Sequence, residues 1–271
     1  MKTFNGLRLL QAGFVFVTFF IIYLPILVVV LLSFHGSLIN FESFTFTTRW
    51  YAGILSSRAL MQSIGVTFRI AIIATLASTA AGTLFAIGIH GLKKKQRIRM
   101  MMLNNVPVVN PEIVTGIMLY LVFVMTRRLL GFPNLGFTTM LIAHIFFSIP
   151  FVVLSVLPKL KRLDPNLLDA ALDLGATKTK AILLVIVPSI RIGILTGALI
   201  AFTMSIDDFI ISYFVSGSVQ NVSIYAHSML PRKVFPHEIF AYNSVIVIVT
   251  VIIMVVANLT SKKIEKRSES S

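Results

Sequence analysis

A chain of 271 residues that is 56% hydrophobic, with mean hydropathy +0.91, lies above the roughly 45–50% apolar content of ordinary soluble domains; this excludes a soluble globular domain and marks an integral membrane protein. The formal charge of +14 does not point to nucleic acid, because the basic residues stand in short clusters beside long apolar runs, as in chains held against anionic lipid. Cysteine is absent, so there is neither a disulfide framework nor a thiolate metal site.

Lys2 and Arg8 precede the first apolar run, 9–34. It is too long for a signal-peptide core and has no small-residue cleavage site, so it is expected to stay as a span, with a kink at Pro25. His35 to Ala59 is more polar and carries Phe41, Phe44 and Phe46, then Arg49-Trp50-Tyr51, which read as an interfacial aromatic belt, with a docking site as the alternative. The second run, 64–89, is rich in Ala, Gly, Ser and Thr, a composition suited to close helix packing in lipid. Lys93, Lys94, Lys95, Arg97 and Arg99 follow it.

The third run, 106–125, is interrupted early by Asn110-Pro111-Glu112, and Arg127, Arg128, Gly131 and Pro133 mark a short outer loop. The fourth, 138–157, returns to Lys159, Lys161 and Arg162; its lone His144 reads as a hydrogen-bonded packing residue, with a ligand role as the alternative. A fifth run covers 190–214, an outer segment with Pro231 and Pro236 follows, and 240–259 is the sixth. Each is long enough, at about 1.5 Å per residue, to cross roughly 30 Å of hydrocarbon. In this topology 17 of the 24 lysines and arginines fall on the side of the two termini, which predicts cytoplasmic termini.

Between the fourth and fifth runs lies a polar loop, 159–188. Asp164-Pro165 reads as a helix N-cap and first turn, Gly175 as the helix stop, and Thr177 as the cap of a second helix that meets Pro188 with a kink or a new start. Leu167, Leu168, Ala171, Leu172 and Leu174 give the first helix an apolar stripe suited to docking on a partner or, equally from patterning alone, to lying as an elbow on the membrane surface.

Carboxylates in hydrocarbon cost several kcal/mol unless paired or facing water. Asp207 and Asp208 lie about 25 Å along the fifth run from its inner end, and adjacent helical residues point about 100° apart, so the two cannot face one lumen equally. Two roles stand open for them: an intramembrane ion pair with Arg69, and contact with substrate. Glu112 is either a helix-start carboxylate at the positive dipole end or an inner cation contact. There is no metal constellation, Walker A loop or nucleophile elbow, so this chain is expected neither to bind nor to hydrolyse ATP.

The pattern Asp169-Ala170-Ala171, three residues, Gly175, nine residues, then Val185-x-Val187-Pro188 resembles the EAA loop of bacterial ABC importer permeases, with Asp169 for the usual Glu and Val187 for the usual Leu. Beyond the loop, nearly the whole chain resembles the spermidine/putrescine ABC importer permeases. The matching stretches are Leu32-Ser33-Phe34, Phe46-Thr47-Thr48-Arg49-Trp50-Tyr51, Pro111-Glu112-Ile113-Val114, Pro150-Phe151-Val152-Val153, Phe202-Thr203-Met204-Ser205-Ile206-Asp207-Asp208 and Phe214-Val215-Ser216-Gly217.

The resemblance implies an all-α integral membrane protein with six transmembrane helices of the type I ABC importer permease fold, and a cytoplasmic coupling-helix loop. It implies a bacterial inner-membrane, multi-pass subunit that is not itself an enzyme and moves spermidine or putrescine by alternating access. Asp169, Ala170, Ala171, Gly175 and Pro188 would couple to the ATPase, and Ser205, Asp207, Asp208 and Glu112 are the candidates for the substrate pathway. The implied partners are a second permease subunit, an ATP-binding cassette ATPase dimer that binds ATP and Mg, an extracytoplasmic polyamine-binding protein and membrane lipid. Nucleic acid is not among them, and no cofactor belongs to this chain. A permease for another small solute is the alternative within the family; a proton-coupled secondary transporter using Asp207 or Glu112 is the alternative from another class.

Overall fold

The computed structural model describes residues 3–36, 45–230 and 237–269. Lys2, Phe41, Phe44, Pro231 and Pro236, read above from sequence, lie outside them. The described residues are helical apart from turns, connecting segments and one isolated bridge between His35 and Phe46. In chain order the helices are α1 (Thr3–Ser33), α2 (Arg49–Ser56), α3 (Arg58–His90), α4 (Lys94–Val109), α5 (Glu112–Leu130), α6 (Phe137–Leu160), α7 (Leu167–Asp173), α8 (Lys178–Ala181), α9 (Val187–Ser189), α10 (Arg191–Asp207), α11 (Ile210–Val215), α12 (Val222–Met229) and α13 (His237–Glu269). A π-helical turn, Ile182–Ile186, joins α8 to α9. Among the described residues, four helices are long and apolar enough to cross a membrane: Leu10–Ser33 of α1, α3, α5 and α6. A fifth results if the bent pair Lys178–Ser189 and Arg191–Asp207 is one span; the apolar stretch of α13, His237–Ile252, is shorter.

Two compact units are distinguishable: Met1–Met61 with Ser228–Ser271, and Gln62–His227. In the first, α1 and α2 pack on α13, and Arg49-Trp50-Tyr51 fastens them. The Tyr51 hydroxyl lies 2.8 Å from Ser33 Oγ and 3.2 Å from Ser244 Oγ. Trp50 Nε1 donates to His35 O at 2.9 Å, and the indole stacks on His237 with ring centroids 4.0 Å apart. The Arg49 guanidinium covers the indole at 4.1 Å. These aromatics therefore form a specific knot within the unit, beyond the general belt that composition suggests.

In the second unit a core of Ala86, Ile89, Val152, Val153, Val156, Leu157, Ile190 and Ala201 joins α3, α6 and α10. A second cluster of Ile70, Phe123, Met140, Ala143, Phe147, Ile211 and Val215 joins α3, α5, α6 and α11.

Three predicted boundaries shift, each at an identifiable residue. Run 106–125 belongs to two helices: Asn110 precedes a proline, is driven to extended backbone (ψ 135°) and ends α4, so that α5 begins at Glu112. Run 190–214 is broken at Asp208 and Phe209, between α10 and α11. The loop helix starts at Leu167 rather than Pro165, because Asp164 Oδ1 takes the Asn166 N–H at 2.9 Å in a turn that precedes α7.

The end of α7 follows its glycine. Gly175 sits at φ +85°, its N–H donates to Leu172 O at 2.9 Å, and the Ala176 N–H donates to Ala171 O at 3.1 Å, a Schellman closure. Thr177 Oγ1 then accepts the Lys180 N–H at 3.4 Å and starts α8. Pro188 has no N–H to donate, and the π turn before it accommodates this with the Val187 N–H reaching back to Ile182 O. After Ile190 the chain turns by 73° into α10, a bend with the expected causes, a proline and a π-bulge.

Candidate functional site

Where water is excluded, a break between two apolar helices leaves backbone N–H and C=O groups that side chains must satisfy. At the junction of α10 and α11 they do. Asp208 adopts extended backbone (ψ 123°), and its carboxylate takes the first-turn amides of α11: Oδ1 accepts from Ile211 N at 3.3 Å and Oδ2 from Ser212 N at 2.7 Å. The Ser212 hydroxyl donates to the same Oδ2 at 2.6 Å. Asn221 Nδ2 lies 3.0 Å from Asp208 O and 3.1 Å from Ser212 Oγ. At the other end of α11, Thr139 Oγ1 donates to Val215 O at 2.7 Å.

His144 completes this network from α6. Its Nδ1 lies 2.6 Å from Ser205 Oγ on α10, and its Nε2 lies 2.9 Å from Ser212 Oγ on α11 and 3.5 Å from Asp208 Oδ2. The histidine is 1% exposed and the Asp208 side chain 7%.

Beside the network opens a cleft of about 570 Å³, within the usual range of small-molecule sites. Asp207, Asp208 and Glu112 line it with Asn110 and Thr115, against aromatic walls from Phe147, Phe151 and Phe209. Asp207 ends α10 and is exposed, and Glu112, also exposed, is the first residue of α5. Neither is in an ion pair among the described residues. Glu112 therefore holds the helix-start position and lines the cleft as well.

Of the pathway candidates, the structure brings Asp207 and Glu112 together as free carboxylates. Asp208 lines the same cleft with its carboxylate already occupied. Ser205 is 2% exposed and turns its hydroxyl to His144 instead of lining the cleft. The Arg69 ion pair is not formed. Its Nε donates to Gly65 O at 2.9 Å and its guanidinium stands 6.0 Å from the Phe137 ring; Asp208 already has enough donors without a cation. In the loop, Asp169 and Ala170 are exposed and Ala171 is buried with Leu167 and Leu168 toward the core, while Leu174 is 89% exposed.

Sequence reading missed Ser212, Asn221 and Thr139. One signal was available: Ser205 and Ser212 stand at i−3 and i+4 around Asp208, positions that share a helical face, and a lone histidine occupies the preceding span.

The family model described as "Binding-protein-dependent transport system inner membrane component" matches residues 79–269. The spermidine/putrescine transport system permease protein PotC of Escherichia coli K12 is 29% identical over 256 residues, covering 94% of this chain and 95% of that protein. The putrescine transport system permease protein PotI of the same strain is 34% identical over 214 residues, 77% of this chain and 73% of that protein. Among solved structures, a bacterial ABC transporter involved in the import of the acidic polysaccharide alginate has a chain that superposes with TM-score 0.71 at 15% identity, covering 97% of this chain and 99% of that one. A chain of the MetNI methionine ABC transporter superposes at 0.59 and 15% identity, over 76% and 98%. At these identities the structural likeness speaks for the fold.

Proposed function

We propose that this chain, which belongs to the family of binding-protein-dependent transport system inner membrane components, conducts polyamines as a membrane-spanning subunit of an ATP-driven importer. Its fold is that of a type I ABC permease. The observation that carries the cargo assignment is the pair Asp207 and Glu112, two carboxylates without a described counter-ion in one cleft with aromatic walls. A polycation leaving water loses hydration energy; fixed carboxylates offset part of that loss, and aromatic faces attract the ammonium groups. The names of the PotC and PotI relatives point to the same cargo.

Six spans with both termini cytoplasmic fit the distribution of basic residues. The loop 159–188 then lies inside, where α7, with Asp169 exposed and Leu174 uncovered, would dock on an ATP-binding cassette subunit. That subunit would bind ATP and Mg and perform the hydrolysis. A second permease would complete the pathway, and an extracytoplasmic binding protein would deliver the amine. Closure of the ATPase dimer would reach the spans through α7 and the 73° bend before α10, biasing the cleft between inward and outward openings.

The test is reconstitution of the whole complex in liposomes, with ATP inside and the binding protein outside, scored by uptake of labelled spermidine and putrescine. ATP-dependent accumulation lost on omission of the ATPase supports the reading. ATP hydrolysis with neither amine moved keeps the ABC class and rejects the cargo; uptake without ATP driven by a pH gradient rejects both.

A further inference from the structure

We infer that His144 is a positioning residue for transport: from α6 it ties α10 to α11, on either side of the break at Asp208 and Phe209, so that Asp207 is held in the cleft with Glu112. The inference rests on the reading of that cleft as the cargo pathway, and it assigns a role to a residue that does not line it.

The protons in the network can be assigned by their donors. Asp208, as a carboxylate, only accepts. Ser212 has one hydroxyl proton and gives it to Asp208 Oδ2 at 2.6 Å. Its oxygen is then left to accept, from Asn221 Nδ2 at 3.1 Å and from His144 Nε2 at 2.9 Å. Nε2 therefore carries a ring proton, and Nδ1 lies in hydrogen-bond contact with the Ser205 hydroxyl at 2.6 Å. A chain of hydrogen bonds thus runs from Ser205 on α10 through His144 on α6 to Ser212 on α11 and on to Asp208. Linked hydrogen bonds in a low-dielectric interior polarise one another in this way.

The position of Asp207 follows from those anchors. It lies between Ser205 and Ser212, the two residues that the imidazole ties, at the end of a helix whose continuation is broken. Phe147 packs against the ring at 5.1 Å between centroids, and the ring has no exposed edge on which to relax. Without the imidazole, α10 and α11 lose the hydrogen-bonded bridge between Ser205 and Ser212, and the angle at the break is less constrained, with the apolar packing on α6 remaining. Asp208 keeps its own amides through such a change; Asp207, with no partner among the described residues, would move with the end of α10.

The chain has no cysteine, so Asp207→Cys introduces its only thiol. In the assembled complex, the rate of its reaction with a cationic methanethiosulfonate is followed by the mass of this subunit, with His144 intact, as His144→Gln and as His144→Leu. Glutamine retains one donor and one acceptor and should keep the rate within about twofold. Leucine should shift it about tenfold, the rate change that corresponds to ~1.4 kcal/mol. A leucine rate equal to that with histidine overturns the inference, as does a glutamine rate displaced as far as that of leucine; if His144→Leu fails to assemble, His144→Asn takes its place in the same comparison.

Uptake supplies a second readout. His144→Leu should lower uptake when Asp207 is present and lower it no further in an Asp207→Asn background, whereas additive losses would assign His144 to general stability. A wild-type complex that moves neither amine removes the cargo reading, and the thiol rates then still decide the role of His144.

Discussion

Ser212 donates twice to one oxygen of Asp208, through its backbone N–H at 2.7 Å and its hydroxyl at 2.6 Å. Asp208 is thereby an acceptor for the start of α11, and its neighbour Asp207 is left as the available carboxylate. Asp208→Asn replaces one acceptor oxygen by an NH₂ group facing those donors, and leaving a buried donor unsatisfied costs about 1–3 kcal/mol. The expected result is a complex with a lower melting temperature and lower assembled yield on size exclusion. Asp207→Asn should leave both unchanged and lower polyamine uptake about tenfold, for the ~1.4 kcal/mol that one lost charge contact represents. Equal behaviour of the two variants would reject the division of roles.

How much of this was legible beforehand depended on range. The turn at Gly175 and the cap at Thr177 follow from single residues and their immediate neighbours, and the structure shows both. Helical geometry led to unequal roles for Asp207 and Asp208, but the continuous helix it assumed is broken at Asp208, and the actual difference comes from partners distant in sequence. Asn221 is 13 residues from Asp208, and His144 is 61 from Ser205 and 68 from Ser212. Such partners are set by how α6 packs on α10 and α11, which no local pattern encodes. The Arg69 ion pair failed for the same reason: matching depth in the membrane is one coordinate, and the direction of the side chain around its helix is another.

Gly217 and Gly131 both have positive φ, at +57° and +68°, and differ in their surroundings. A Cβ on Gly217 would run into the backbone carbonyl of Leu135, whereas one on Gly131 meets nothing within 4 Å. Gly131→Ala should cost only the conformational penalty, about 1 kcal/mol. Gly217→Ala adds a backbone collision beside the end of α11, so its cost should approach ~3 kcal/mol. Thermal unfolding of the two purified variants orders them, and a Gly131→Ala variant as unstable as Gly217→Ala would refute the clash.

Arg69 has no carboxylate partner among the described residues and keeps to its own helix, donating to Gly65 O. Arg69→Gln should therefore leave stability within about 0.5 kcal/mol, as substitutions outside buried networks usually do. A loss as large as that of Asp208→Asn, measured in the same melting assay, would mean that the guanidinium serves a buried charge after all.

Gly175 tests the loop apart from the pathway. Its φ of +85° is unfavourable for any side chain, yet a Cβ there meets nothing within 4 Å, so Gly175→Val carries strain of about 1–3 kcal/mol without a clash. That strain is relieved most readily by reopening the Schellman closure, which changes where the exposed Leu174 and Asp169 stand relative to the core. Most of the packed core of the second unit lies along α3, α5, α6, α10 and α11, and Leu167 and Leu168, which pack against that core, stand at the start of α7, away from the turn. Insertion and subunit yield should therefore persist while the ratio of amine taken up to ATP hydrolysed falls. Gly175→Asn, a residue that tolerates the left-handed region, should restore much of that ratio. A valine variant with wild-type coupling would show that α7 does not carry the motion, and one whose ATP hydrolysis and uptake fall in proportion would place the loop in assembly instead.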